Sequence, residues 1–381
     1  MDAMSVRNSR AIAFVRVGSF SHINDSLRAE LARQLPGYDI DDIDVASLVS
    51  KAERWGWRNL SRLVADQRWQ LLAPLHRIQE VVAKTDYVFR LSSERVQRRL
   101  SSRRYAFTIQ TSSLFDASQP GTPHFIFTDH TTLANLHYAP RDRPLLPAGS
   151  WLRLEGALYR KATAIFTMGR FSAQSLIDDY GCRKEAVLCV DSGSNVPPPP
   201  VSISDDRYGA REILFVGVEW ERKGGPELVE AVARLRASGV PARLTVIGCS
   251  PKISEPGCEV LGRIRPGDLP RYYARASVLC VPSRREPAGI VFTEAALYGL
   301  ASVSTTAGGI PERVLHGVTG VLVAPGDPAA IADALRRLLD DPSLCRQMGA
   351  RARAHAAEKF TWERTVSLMR ERILRTVGQA A

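Results

Sequence analysis

Short apolar runs of three to seven residues recur along this chain, each followed by a turn rich in Gly, Pro or polar residues and then by a helical repeat. The alternation predicts parallel sheets covered by helices on both faces, because parallel strands need crossover helices to connect them. In the first half, Ala11 to Val17 reads as a strand, followed by Gly18-Ser19-Phe20-Ser21-His22 and a helix through Leu27, Leu31 and Leu35. Tyr105 to Ile109, His124 to Phe127 and Ala164 to Thr167 are further strands. In the second half, Ile213 to Val216, Arg243 to Ile247, Val278 to Val281, Ala301 to Thr305 and Val321 to Val323 are strands, and Pro226 to Ser238 is a helix with Pro in its first turn and Gly239 just past its end.

Pro197 to Pro200 and the polar residues through Asp206 suit neither a helix nor a central strand, and read as a linker. With 381 residues, two domains are expected: 1–197, 198–358, and a last helix over 359–381, opened by Phe360-Thr361-Trp362-Glu363, that returns to the first domain. Ligands of such sheets bind beyond the carboxyl ends of the strands. The start of the chain runs into a strand without a signal peptide and no apolar stretch is long enough to cross a bilayer, so a cytoplasmic location is expected. Six cysteines without a C-x-x-C pair suggest reduced thiols, with neither a disulfide framework nor a zinc site.

The formal charge is +11, and residues 51–104 hold thirteen Lys or Arg against five acids, a local balance of +8. Trp55, Trp57 and Trp69 stand among Leu60, Leu63, Leu71 and Leu72 in that stretch. Two readings are open: a helix at an anionic membrane surface, or a solvated helical face with ordinary core tryptophans. No nucleic-acid partner is expected.

Two clusters in the second half carry chemistry. Arg222-Lys223-Gly224-Gly225 lies between a strand and the start of a helix, where cations, backbone amides and the helix dipole favour a diphosphate. Beyond the strand that ends near Pro282, Glu286 falls in a loop and Glu294 inside the following helix, with Gly289 between them allowing close backbone approach. Carboxylates accept hydrogen bonds from vicinal hydroxyls, so the two can grip different parts of one ligand.

These pieces, followed by Gly308-Gly309-Ile310-Pro311-Glu312 and Gly317-Val318-Thr319-Gly320, resemble the donor half of family 4 retaining glycosyltransferases. The resemblance implies the GT-B fold, an α/β architecture of two Rossmann-like doubly wound domains facing each other across a cleft. It also implies that Lys223 binds the donor diphosphate, Glu294 the ribose and Glu286 the transferred sugar, with backbone of Gly289, Ile290 and Val291 lining sugar and phosphate. The turn Leu261-Gly262-Arg263-Ile264 is expected near the base. Many members have Gly-Arg after the first strand where this chain has Gly217-Val218, and Arg222 is the expected substitute. In the first half the likeness is looser; it implies that Gly18 and Ser19 face the diphosphate and that His130, after the strand ending at Phe127, orients the donor sugar.

The implied activity is metal-independent hexosyl transfer with retention, from a UDP or GDP sugar to a hydroxyl of a glycan or lipid-linked acceptor. Glu286, His130 and Lys223 are the expected catalytic residues, the nucleotide sugar is a co-substrate, and no cofactor is required. The enzyme could also sit peripherally on the cytoplasmic membrane face through residues 51–104. The rival readings are a nucleotide-sugar epimerase or phosphorylase on the same fold, a nicotinamide-dependent oxidoreductase, disfavoured by the lack of G-x-G-x-x-G after a strand, and a non-catalytic protein that binds membrane or polyanions.

Overall fold

A computed structural model describes residues 10–19, 22–54, 82–197, 199 and 203–379. The chain forms two compact units: 1–137, 143–190 and 362–381 make the first, and 138–142 with 191–361 make the second.

In the first unit, β1 (Ala11–Arg16) leads to α1 (Ile23–Gln34), β2 (Asp39–Asp44), α2 (Asp86–Leu100), β3 (Phe107–Thr111), β4 (His124–Thr128), α3 (Gly149–Lys161), β5 (Ala164–Thr167), α4 (Arg170–Asp178) and β6 (Val187–Cys189). The strands pair in parallel in the order β2-β1-β3-β4-β5-β6. Residues 11–15 of β1 and all of β3, β4 and β5 are buried, as strands covered on both faces must be. The order reverses direction between β1 and β3, so the ligand end of this sheet is expected where Gly18 and Ser19 follow β1.

The segment β2 reads Asp-Ile-Asp-Asp-Ile-Asp and carries no strand signal of its own. Its pairing with β1 is supported by arginines from neighbouring elements. Arg16 reaches Asp42 at 2.8 Å and Asp44 at 3.1 Å, Arg99 reaches Asp41 at 2.8 Å, and Arg103 reaches Asp39 at 2.6 Å. Arg95 pairs with Glu53, and Arg98 with Glu94. Part of the positive charge counted over 51–104 is therefore answered by acids of β2, outside that window. Trp55, Trp57, Trp69 and the leucines among them lie outside the described residues.

The second unit contains β7 (Glu212–Val216), α5 (Gly225–Ala237), β8 (Arg243–Ile247), β9 (Cys258–Gly262), α6 (Leu269–Arg275), β10 (Val278–Cys280), α7 (Ile290–Leu297), β11 (Ala301–Thr305), β12 (Gly320–Val323), α8 (Pro328–Leu339) and α9 (Pro342–Lys359). Its strands are also parallel, in the order β12-β11-β10-β7-β8-β9. The switch in direction falls between the hydrogen-bonded neighbours β7 and β10, and the Lys223 turn and the Glu286 loop follow those two strands. Asp205 and Asp206, expected in the linker, open a 3₁₀ turn over Asp205–Gly209, because Ser204 caps it by accepting from the Asp206 amide.

Arg207 in that turn is buried and donates to the carbonyls of Tyr273, Ala274, Tyr298 and Gly299, holding the ends of α6 and α7 together. The last helix, α10 (Trp362–Gln379), joins the first unit against α1, with Gln34 donating to the Glu363 carbonyl at 2.8 Å and Trp362 near Phe127. The six cysteines are free thiols, each buried or half-buried.

Candidate functional site

Three loops at the carboxyl ends of β7, β10 and β11 are fastened to one another. The Arg284 amide donates to the Arg222 carbonyl at 2.9 Å, and Arg222 Nη1 donates to the Arg285 carbonyl at 2.7 Å. Gly224 has a φ of +74°, and a Cβ there would stand 2.0 Å from the Pro282 carbonyl oxygen, so only glycine permits this approach. From the β11 side, the Gly309 amide donates to the Glu286 carbonyl at 2.9 Å.

Within this frame Lys223 forms an ion pair with Glu286, and Arg222 stands 3.6 Å from the same carboxylate. Glu286 Oε1 accepts from the Gly289 amide at 3.1 Å, at the start of α7. Burial alone would raise the Glu286 pKa, but Lys223, Arg222 and the Gly289 amide together hold it below the ordinary carboxylate value. Glu286 is therefore a buried anion whose charge is met by two cations.

Glu294, on the next turns of α7, has a different environment. It is buried, accepts from the Tyr273 hydroxyl at 3.0 Å, and also receives the Asn195 amide. Burial dominates here and lifts its pKa to about 7, against the smaller opposing effects of Tyr273, Asn195 and the more distant Lys223. Two carboxylates on one helix and its lead-in loop thus have opposite protonation tendencies.

Of the other residues expected in the donor site, Ile290 is half-buried and Val291 is buried in the core of the second unit, which leaves Val291's backbone as the part able to meet a ligand. Ile264 follows β9 and packs against the same core. Gly18, Ser19 and His130 belong to the first unit. The Gly18 amide donates to Asp44 at 3.0 Å, and its carbonyl accepts from Arg16 and Asn24, both at 2.9 Å, while Ser19 is exposed. His130 is half-buried in the loop after β4.

Sequence reasoning missed several residues of the second unit. Arg313 is buried and donates to Thr293, the neighbour of Glu294, at 2.8 Å and to Ser192, while its guanidinium lies over the Phe360 ring. Arg284 pairs with both Asp142 and Glu227. Asp142 belongs to a five-residue piece, 138–142, that the second unit takes from the middle of the first. Only the position of Arg284 between Ser283 and Glu286 was visible in the sequence.

Two parallel sheets, with clustered cations and carboxylates at the switch point of the second, define a two-domain α/β protein. Residues 210–341 match the family described as glycosyl transferases group 1. Glycogen synthase of Mycobacterium tuberculosis is 28% identical over 222 residues, 55% of this chain and 53% of that protein. D-inositol 3-phosphate glycosyltransferase of Corynebacterium glutamicum is 31% identical over 272 residues, 64% of each chain. The chain spans about half the length of most of the curated relatives it matches. Sucrose-phosphate synthase of Thermosynechococcus elongatus superposes with a TM-score of 0.71 at 17% identity, covering 98% of this chain and 100% of that one, which shows the GT-B fold.

Proposed function

We propose that the chain is a retaining glycosyltransferase that moves a hexose from a nucleotide diphosphate, UDP or GDP, to a hydroxyl of a glycan or lipid-linked acceptor. The observation that supports this reading most is the part-buried Lys223–Glu286 pair flanked by Arg222, within the residues that match the family model. In the free protein the charge of Lys223 is directed at Glu286. A bound diphosphate draws Lys223 and Arg222 onto its oxygens, and Glu286 is then released to accept hydrogen bonds from the sugar. Glu294 accepts the ribose hydroxyls, Ile264 lies toward the base, and amides at Gly289, Ile290 and Val291 meet sugar and phosphate. From the first unit, Gly18 and Ser19 face the diphosphate and His130 orients the sugar.

The bond from the anomeric carbon to the phosphate oxygen breaks while the acceptor oxygen attacks from the same face. The departing phosphate takes the acceptor proton. Lys223, Arg222 and the start of α7 offset the charge that builds on the diphosphate, the electrostatic task a divalent ion performs in other transferases. The two curated relatives carry different names, glycogen synthase and D-inositol 3-phosphate glycosyltransferase, and the acceptor here is assigned only as a hydroxyl-bearing glycan or lipid-linked molecule.

Thermal stability in the presence of UDP, GDP, ADP, CDP and dTDP and their sugar conjugates tests the donor site. A nucleotide at a hundred times its dissociation constant stabilises the protein by about 2.7 kcal/mol. We expect a shift with UDP or GDP that is lost in Lys223→Ala and Glu294→Ala, and no shift with any nucleotide refutes the reading. Among the described residues no helix is long and apolar enough to cross a membrane. Cytoplasmic residence with peripheral contact through residues 51–104 is proposed for the whole protein, and failure to float with anionic vesicles counts against that contact.

A further inference from the structure

The loop after β4, which carries His130, is held at every residue from 129 to 133. The Ser172 hydroxyl donates to the Asp129 carbonyl at 2.5 Å, and the Thr128 hydroxyl to the His130 carbonyl at 2.7 Å. Thr131 Oγ1 meets Ser175 Oγ at 2.7 Å. The Thr132 hydroxyl donates to Glu155 Oε1 at 3.1 Å, and the Leu133 amide donates to the Tyr180 hydroxyl at 3.1 Å.

Two of these contacts converge on one group. Glu155 of α3 is 1% exposed, and its carboxylate accepts from Thr132, from Tyr180 and, at 2.7 Å, from Ser113 in the loop after β3. Ser113 follows Ser112, whose φ of +78° is a left-handed conformation that a non-glycine residue adopts at a cost. Burial raises the Glu155 pKa, and the Tyr180, Ser113 and Thr132 hydroxyls together with the charge of Lys84 oppose this only in part, so the buried carboxyl is an expensive way to hold a loop that apolar packing could hold. What it adds is direction, since each hydroxyl fixes the position of a strand-end loop relative to α3.

We propose that Glu155 is a positioning residue for His130, acting through Thr132, Leu133 and Tyr180 to fix the loop after β4 in the geometry that donor-sugar contact requires. The role of His130 toward the sugar rests on the function proposed above, whereas the mechanical link from Glu155 to His130 does not. A displacement of about 1 Å in a substrate-positioning group can cost on the order of a hundredfold in rate.

The test uses the full chain, Glu155→Gln and Tyr180→Phe, the second variant keeping the ring in place should the first fail to fold. Histidine ring NMR reports the link directly, with the His130 signal identified by its loss in His130→Ala. His124, at the start of β4 and bonded to Thr108 at 2.6 Å, is the control for the core. We expect the His130 signal to shift or split in both variants while that of His124 stays in place. A His130 signal that does not move, or one that moves together with His124, overturns the proposal. Turnover of UDP-glucose and GDP-mannose in water then supplies the functional arm. Glu155→Gln lowers kcat at least about tenfold, leaves the dissociation constant of UDP or GDP within about twofold of wild type because Lys223 and Glu294 are untouched, and costs nothing further in His130→Ala. Losses that multiply in the double variant refute the positioning role. Absence of turnover and of nucleotide binding in the wild type refutes the proposed function instead, and leaves the NMR result to decide the link.

Discussion

Replacing Lys223 by Ala exposes the energetics of the donor site without any ligand. The lysine side chain is 12% exposed and that of Glu286 7%, so solvent does little to screen the pair. Removing one partner of a buried pair costs about 3–5 kcal/mol, because the remaining charge is stranded. Arg222 at 3.6 Å and the Gly289 amide at 3.1 Å still serve Glu286, which places the expected loss near the lower bound, about 3 kcal/mol. For a unit of this size that is a fall in Tm of about 6–12 °C. Urea unfolding followed by circular dichroism measures it, with Glu286→Gln and the double variant completing a cycle. Because Glu286→Gln removes the charge and keeps the shape, Lys223→Ala made in that background should cost much less than in the wild type. Equal losses in the two backgrounds would refute the claim that Lys223 and Glu286 are paired in the free protein.

Glu294 carries a pH signature of the opposite sense to an ordinary carboxylate. Its pKa is raised from 4.5 to about 7 on folding, so the native state holds a proton that the unfolded chain releases, and stability falls as pH rises through that interval by about 3 kcal/mol. Glu294→Gln should flatten that slope in urea titrations at pH 5, 6 and 7, and an unchanged slope would sink the assignment. Gly224→Ala meets both a left-handed φ, worth about 1–2 kcal/mol, and a backbone oxygen 2.0 Å from the new Cβ; soluble protein with an unaltered Tm would contradict the geometry. Arg207→Ala strands carbonyls at the ends of α6 and α7 and should destabilise by at least about 3 kcal/mol, read as a lowered urea midpoint with the second unit affected first.

The sequence was most legible where local pattern and tertiary environment agree. The strands β5, β8 and β11 fall at the bounds that their apolar runs predict, and α5 differs by one residue at each end, because buried parallel strands and a Pro-opened, Gly-closed helix announce themselves locally. The sequence put Lys223 and Glu286 after strands, but that those strands, β7 and β10, are neighbours at the switch point is visible only in the structure. What could not be read depends on partners distant in the chain. Strand β2 is apolar at only two positions, and its pairing depends on arginines at 16, 99 and 103. The transfer of residues 138–142 to the second unit, and the burial of Glu155 beneath the His130 loop, are tertiary facts with no period or motif to signal them.

The acidic strand β2 has one more consequence. It closes one side of its sheet, and a parallel edge strand offers a row of unpaired amides and carbonyls on which another extended chain could add. Aspartate is among the poorest strand formers, and four of them at alternate and adjacent positions make this edge a hostile template for an incoming strand. The opposite edge, β6, is only three residues long and offers little length to pair with. Among the described residues, the first unit thus bounds its sheet with an aspartate-rich, poorly strand-forming segment on one side and a three-residue strand on the other, and valine or threonine in place of Asp39 and Asp41 would make that edge a better template while removing the partners of Arg103 and Arg99.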